Sequence, residues 1–440
     1  MDPSLVHSTL ARHQLADGMP FVLDLEKSHG SWLHDSVSGV DYLDMFTCFA
    51  SWPIGYNHPR LDEEEFLREL VLSAKHKPSN SDLYTEQMAT FVETFAAHVT
   101  PDGFPHHFWV SGGALAVENA LKAAFDWKAR KLGRTRWTDE VNDLVVLHFR
   151  EAFHGRSGYT LSLTNTDGIK TGLFPKFEWP RVHNPKIEFD LDGQLTNDIE
   201  ASEKRACGEI DAAFHLYGKS VAAIIIEPMQ GEGGDNYFRP EFFSRLRQYA
   251  DEHEALLIYD EVQTGFYGSG KQWLWQHHGI APDIVSFGKK SQVCGIYSNR
   301  RIEEVEDNVF ALGGRINSTW GGNLTDMVRC RRFIEIIESE NLCDHILGAG
   351  ERMILGLREA LRNQAGFSNV RGVGSLIAFT LETPQARDQL MLDLQKARLL
   401  CLKSGVDSLR FRLPLNITLE EVDQAIEMIS SCLPAASARA

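Results

Sequence analysis

The sequence predicts an α/β protein, with a large domain on a mainly parallel sheet joined to a smaller α+β domain. Three observations carry this. Short, nearly unbroken apolar runs recur from about residue 105, including Leu144–Phe149, Val221–Ile226, Ala255–Tyr259 and Asp283–Phe287. Such runs read as strands covered on both faces, as in a parallel sheet. Helical stretches separate several of them, giving the βαβ alternation of an α/β domain. After about residue 325 the rhythm changes to two long helical patterns followed by strands.

Taken in order, Ser31–Asp35 and Val40–Met45 flank a Ser38-Gly39 turn and read as a hairpin. The strand His107–Val110 precedes a helix that follows Gly113 and runs to about Arg130. Pro240 is a good first helical residue and opens a helix reaching about Glu254. Helical patterns over about 325–340 and 345–363 lead to a strand at Ser375–Leu381, a further helix, a strand near Leu399, and the strand Ser408–Arg412. Thr418 with Glu421 forms a capping box for the last helix. The expected division is residues 1–60 as an N-terminal segment of the small domain, 61–325 as the large domain and 326–440 as the rest of the small domain. The N-terminal hairpin joins the C-terminal part because each piece alone is too small for a core.

The 440 residues are 43% hydrophobic and 24% charged, which excludes a disordered or low-complexity chain. Lys plus Arg number 44 against 61 Asp plus Glu, a formal net charge of −17. A field of that sign repels phosphate backbones and anionic membranes, so neither nucleic acid nor membrane is an expected partner. The seven cysteines are odd in number, scattered and free of C-x-x-C spacing. That pattern points to a reducing, cytoplasmic compartment rather than a disulfide framework or a zinc site. Met1–Ala16 carries charges and no apolar core segment, so no signal peptide is expected. The apolar run Val221–Ile226 is far shorter than a membrane span.

The strongest chemical constellation lies between residues 259 and 290. Asp260 ends one predicted strand and Lys289 follows another, so both stand at C-terminal strand ends. That edge of an open α/β sheet is where ligands bind. A lysine that forms a Schiff base and a carboxylate that pairs with a pyridine nitrogen suit pyridoxal phosphate. The same two residues also read as a surface ion pair at loop starts. Ser111-Gly-Gly-Ala114 enters a helix and leaves backbone N–H groups for a phosphate, or is simply a tight turn. Phe153-His-Gly-Arg156 sets an aromatic beside a base, or is a loop with one packed Phe. Gly265–Gln272 almost matches a P-loop but has Gln272 where a magnesium-binding hydroxyl belongs, and no clean strand precedes it. The pairs His106-His107 and His277-His278 lack metal-ligand spacing.

These stretches together resemble the class III, fold-type I, pyridoxal-phosphate-dependent aminotransferases. The resemblance rests on Ser111–Ala114, Phe153–Arg156, Ile226-Glu227-Pro-Met-Gln-Gly-Glu232-Gly-Gly, Asp260–Gly265, Phe287-Gly-Lys289, Ser318–Asn323 and Arg410-Phe-Arg412, which span most of the chain. Within the family it runs strongest toward the L-lysine 6-aminotransferases, at Lys77–Asp82, Gly112–Trp127, Gly155–Asn165 and Phe287–Gly295. The resemblance implies that Lys289 is the Schiff-base lysine and Lys290 is not, that Asp260 pairs with the pyridinium, and that Gln263 lies near the ring's phenolic oxygen. It implies that Val262 and Phe153 sandwich the ring. It implies that Gly113 and Ala114 hold the phosphate through N–H groups. Thr319 would reach the phosphate of a neighbouring subunit, making a homodimer the minimal active unit, with Asn80 and Asp82 near the shared boundary.

The reaction it implies moves the terminal amino group of L-lysine to 2-oxoglutarate, giving 2-aminoadipate 6-semialdehyde and L-glutamate. Arg156 is suited to the distant carboxylate of either substrate, and Arg410 to the near α-carboxylate of glutamate alone. Glu232 would neutralise Arg410 while lysine is bound and swing away for 2-oxoglutarate, and Glu227 would border the site. Ornithine and 4-aminobutyrate are the rival amines, with Cys48, Phe49 and Ala50 as candidates for lining the pocket that would separate them. Two positions depart from the family pattern. Ala114 and Leu115 stand where many members have Ser or Thr followed by Glu, and Leu413 stands where proline is common.

Overall fold

The computed structural model describes residues 1–434. Its largest sheet has seven strands in the order His106–Val110, Cys294–Ser298, Ile284–Phe287, Leu256–Asp260, Val221–Ile226, Val145–Phe149, Arg181–Val182. From Ile284–Phe287 to Arg181–Val182 every pairing is parallel. Cys294–Ser298 runs antiparallel to both its neighbours, so the sheet is mainly rather than wholly parallel.

The unbroken apolar runs have the cause the sequence suggests. Strands Val145–Phe149, Val221–Ile226, Leu256–Asp260 and Ile284–Phe287 are buried at every position. Alternate side chains pack on opposite faces. Val146, Ala223, Ile225, Ile258 and Ile284 meet the helix Gly113–Lys131, whose Ala116, Ala120, Ala123 and Ala124 allow close approach. Leu147, Ile224, Leu257, Tyr259 and Val285 belong to the core on the other face, with Ile210 and Phe214 of the helix Ile199–Tyr217 and Phe242 and Leu246 of Pro240–Glu252.

A second, antiparallel sheet has the order Phe367–Val373, Leu376–Leu381, Ser408–Arg412, Leu402–Ser404. Its first strand is polar, carries Gly372 and has a register shift between Ser368 and Arg371, so no apolar run marks it. The helices Leu324–Ser339 and Leu342–Leu361 meet at Asn341, which takes a left-handed φ of 51°.

The N-terminal hairpin pairs Trp32 with Leu43, and Leu399–Leu400 adds to it in parallel, joining the two ends of the chain. Glu421 fastens the same junction. Its Oε2 accepts from Thr418 N and Ser31 Oγ, each at 2.9 Å, and its Oε1 accepts from Trp32 Nε1 at 2.9 Å. Glu421→Ala removes the capping box and both hairpin contacts, and should lower stability by about 1–3 kcal/mol. Thermal unfolding should show a fall in Tm of several degrees, whereas Glu420→Ala on the same turn should leave it unchanged.

Candidate active site

Parallel pairing sets Ser286 beside Asp260 at the C-terminal edge of the large sheet. Asp260 is the last residue of its strand and is buried. Its Oδ1 accepts from Val262 N at 3.1 Å and Ser286 Oγ at 3.2 Å. Its Oδ2 accepts from His154 Nδ1 at 2.8 Å. His154 is itself buried, its backbone N–H donating to Thr164 Oγ1 at 2.9 Å. The sequence presents His154 within the Phe153–Arg156 stretch without indicating this role. A polar residue between an aromatic and a glycine, just past a fully buried strand, is the signal that was available.

Gly288 separates Lys289 from its strand, and a Cβ there would lie 2.8 Å from Cys294 Sγ. Lys289 takes a left-handed φ of 54°, a conformation that costs a non-glycine residue about 1–2 kcal/mol. Its carbonyl accepts from Gln292 N at 2.8 Å, which closes the turn. Burial of the Lys289 amine, reinforced by the Arg410 and Arg412 guanidiniums, pushes its pKa down to about 7. The adjacent lysine is spoken for: Lys290 Nζ donates to Gln263 O at 2.6 Å. A Cβ at Gly268 would come within 2.8 Å of Lys290 Cε, so the glycine-rich Gly265–Gln272 stretch serves as packing space for that lysine. It forms a turn, with Tyr267 N donating to Gln272 O at 3.2 Å, and is not a phosphate loop between strand and helix.

Phe153 is held by its backbone N–H, which donates to Glu227 Oε1 at 2.9 Å. Glu227 Oε2 accepts from Gly231 N at 3.1 Å. Burial, with the Asp260 charge behind it, pushes the Glu227 carboxyl well above the usual range. Gly113 opens its helix behind Gly112, which has φ 110° and supplies no side-chain cap. The N–H groups of Gly113 and Ala114 therefore lack intrahelical partners. A Cβ at Gly113 would stand 2.7 Å from Val262 Cγ1, and one at Gly155 would stand 2.5 Å from Ala114 Cβ. Both glycines keep the space above the helix end open.

Arg410 and Arg412 project from the strand Ser408–Arg412 of the antiparallel sheet and are buried. Arg412 grips Asp235 through two bonds of 2.7 and 2.8 Å. Arg410 Nη2 donates to Glu232 Oε2 at 2.8 Å, and its Nη1 to Gly231 O at 2.7 Å. Gln263 Oε1 accepts from Arg410 at 3.2 Å and Arg412 at 2.9 Å, which commits its oxygen and leaves its amide N–H groups as donors. Burial alone would raise the Glu232 carboxyl, but the Arg410 charge and the Lys170 hydrogen bond outweigh it and hold the pKa below the usual range. Arg156 is exposed, with no ion-pair partner among the described residues, and its guanidinium lies 5.8 Å from the Phe153 ring centre.

Thr319 stands apart. It is exposed, its carbonyl accepts from Ser79 Oγ at 2.5 Å, and Ser81 Oγ donates to Ser318 O at 2.6 Å. Ser79 Oγ also reaches Asp82 at 2.5 Å, and Asn80 is buried in the same loop. Thr319 makes no hydrogen bond to the Gly113–Ala114 turn among the described residues. Leu413, the departure from proline, donates its N–H to Ser375 O at 3.1 Å, a bond that proline would forfeit. Cys48, Phe49 and Ala50 lie in a left-handed turn with φ of 50°, 58° and 64°. Asp44 braces that turn, its Oδ1 accepting from Phe46 N and Thr47 N at 2.8 Å each.

A near-neutral amine, a carboxylate on the same sheet edge, an open helix N-terminus and a free amide donor fit pyridoxal phosphate in charge and in donor set. The comparisons agree. The chain matches the family model described as aminotransferase class-III over residues 14–433. It is 49% identical to the L-lysine-epsilon aminotransferase of Mycobacterium tuberculosis, covering 98% of this chain and 96% of that one. It is 32% identical to the 4-aminobutyrate aminotransferase of Mycosarcoma maydis, covering 94% and 85% of the two chains. A solved lysine aminotransferase from M. tuberculosis superposes with a TM-score of 0.94 at 48% identity, covering 99% of this chain and all of that one. This chain belongs to the class III aminotransferases and is a pyridoxal-phosphate-dependent transaminase.

Proposed function

We propose that the chain transfers the terminal amino group of L-lysine to 2-oxoglutarate, releasing 2-aminoadipate 6-semialdehyde and L-glutamate. One observation carries the reading: Arg410 is neutralised by Glu232 while Arg156 is left free. A site in that state accepts one distant carboxylate and does not repel an amine at the reacting end. Release of Arg410 from Glu232 adds a second anion site for the α-carboxylate of glutamate. Greater identity to the lysine enzymes than to the 4-aminobutyrate enzyme favours lysine over shorter amines.

Bound pyridoxal phosphate supplies an aldehyde for amines and an electron-withdrawing ring. In our reading Gly113 and Ala114 would hold its phosphate, Phe153 and Val262 would flank its ring, and Gln263 would donate to its phenolic oxygen. Asp260 would keep the proton on the ring nitrogen, with His154 steadying that carboxylate. Lys289 Nζ would hold the group through its aldehyde and would be the base placed to take a proton from the substrate's terminal carbon. An amine with a pKa near 7 suits that exchange. Glu227 fixes Phe153 from behind through the backbone. Thr319 completes the phosphate site of a second copy, which makes the working unit a homodimer; its exposure in the single chain supports this. The seven cysteines are all free, which supports a reducing cytoplasmic setting.

Lys289→Ala should abolish both turnover and the visible absorption band of the pyridoxal-phosphate-loaded protein; persistence of either would refute the assignment. The lowered Lys289 pKa means the reactive neutral amine fills in as pH rises through about 7. The rate at which apo-protein takes up pyridoxal phosphate should therefore climb through that pH and level off above it, rather than keep rising toward 10. Glu232→Ala leaves Arg410 with only the more distant Asp235 carboxylate, at 3.9 Å, and should slow the lysine half-reaction by at least about tenfold, sparing the glutamate half-reaction. Equal losses in single-turnover absorbance traces would remove Glu232 from the proposed role. A panel of lysine, ornithine and 4-aminobutyrate, followed by loss of the visible band, tests the amine itself.

A further inference from the structure

Glu232 has two cations, one for each carboxylate oxygen. Oε2 faces Arg410 at 2.8 Å, and Oε1 is hydrogen-bonded to Lys170 Nζ. The two arrive from different parts of the fold. Arg410 comes from the buried small-domain strand, whereas Lys170 sits on the short helix Gly168–Thr171 of the large domain. Lys170 Nζ lies 5.8 Å from the centre of the Phe153 ring, so it stands at the same site that Arg156 borders.

The backbone beneath Glu232 is pinned. Gly231 O accepts from Arg410 at 2.7 Å and from Ser404 Oγ at 2.6 Å, and Glu232 O accepts from Gly405 N at 2.9 Å. Arg371 donates to Gly234 O and, at 2.9 Å, to Asp235 O. A Cβ at Gly233 would lie 2.0 Å from Glu151 O, so the loop has no room to slide. The Glu232 carboxylate can leave Arg410 only by rotation about its own side-chain torsions. A partly buried carboxylate that loses its only partner is costly.

We propose that Lys170 is a specificity-setting positioning residue, holding the Glu232 carboxylate when Arg410 is given over to a substrate α-carboxylate. The inference rests on the reading that Arg410 takes that carboxylate. With one-carboxylate ligands Glu232 bridges both cations. With two-carboxylate ligands it leans on Lys170 alone, and Lys170 stabilises the open arrangement. Because Glu232 stays against it throughout, Lys170 never presents a free charge to an incoming ammonium.

The test uses the pyridoxal-phosphate-loaded protein and two unreactive ligands of equal length, glutarate and pentanoate, titrated by calorimetry. Lys170→Met should weaken glutarate binding about fivefold, the scale of a partly exposed ion pair, and leave pentanoate binding unchanged. Lys170→Arg should restore glutarate binding. In a Glu232→Gln background, Lys170→Met should have no further effect. Equal weakening of both ligands, no weakening of either, or an effect that persists in Glu232→Gln would overturn the proposal. Neither ligand carries an amine, so absence of lysine turnover with this pattern intact would overturn the choice of amine and not the role of Lys170.

Discussion

Everything in the site hangs on the parallel register between strands Leu256–Asp260 and Ile284–Phe287. It sets Asp260 and Lys289 at one edge of a sheet that is buried on both faces. Strand Val221–Ile226 ends beside them and delivers Glu227, and strand Val145–Phe149 feeds the turn that carries Phe153 and His154. A carboxylate, an amine and an aromatic that are remote in sequence converge because parallel strands all release their chain at the same edge.

The second constraint is electrostatic and joins the two sheets. Arg410 and Arg412 are both buried, which is unfavourable unless each charge is met. Asp235 meets Arg412 with two bonds and stands 3.9 Å from Arg410, Glu232 meets Arg410 directly, and Gln263 bridges the pair. The Arg412–Asp235 pair is fully enclosed and acts as a rivet between the strand Ser408–Arg412 and the Gly231–Asp235 loop. The Glu232 side chain is a quarter exposed and has a second cation in Lys170, so it is the member of the network that is free to change partners. Burial first, and then the same cluster of positive charge, depresses the Lys289 amine.

Fold class was legible because burial on both faces writes itself into composition: Val221–Ile226 is apolar at every position since both faces are covered. Strand Phe367–Val373 was not legible, because it is polar and its register breaks at a bulge. Cys294–Ser298 was hidden for a different reason. It follows Lys289 closely and its antiparallel direction depends on which neighbours it finds, something no local pattern encodes. Asp260, Lys289 and the glycine turn could be named from strand ends and motif resemblance. His154, Asp235 and Lys170 could not, since each matters only through a partner far along the chain.

By itself the sequence determined the α/β class, the order of the main elements and the strand-end placement of Asp260 and Lys289, all from local periodicity. The arginines suited to carboxylates came from the family resemblance. The resemblance chose Lys289 over Lys290, and the tertiary structure supplies the physical reason. Lys290 is tied to Gln263 O, and Lys289 is turned into the site by a left-handed backbone. Tertiary structure alone decided that Glu232 is shared between Arg410 and Lys170. The physical reason is the same in both cases: a charge's role depends on what surrounds it, and those neighbours are brought together only by folding.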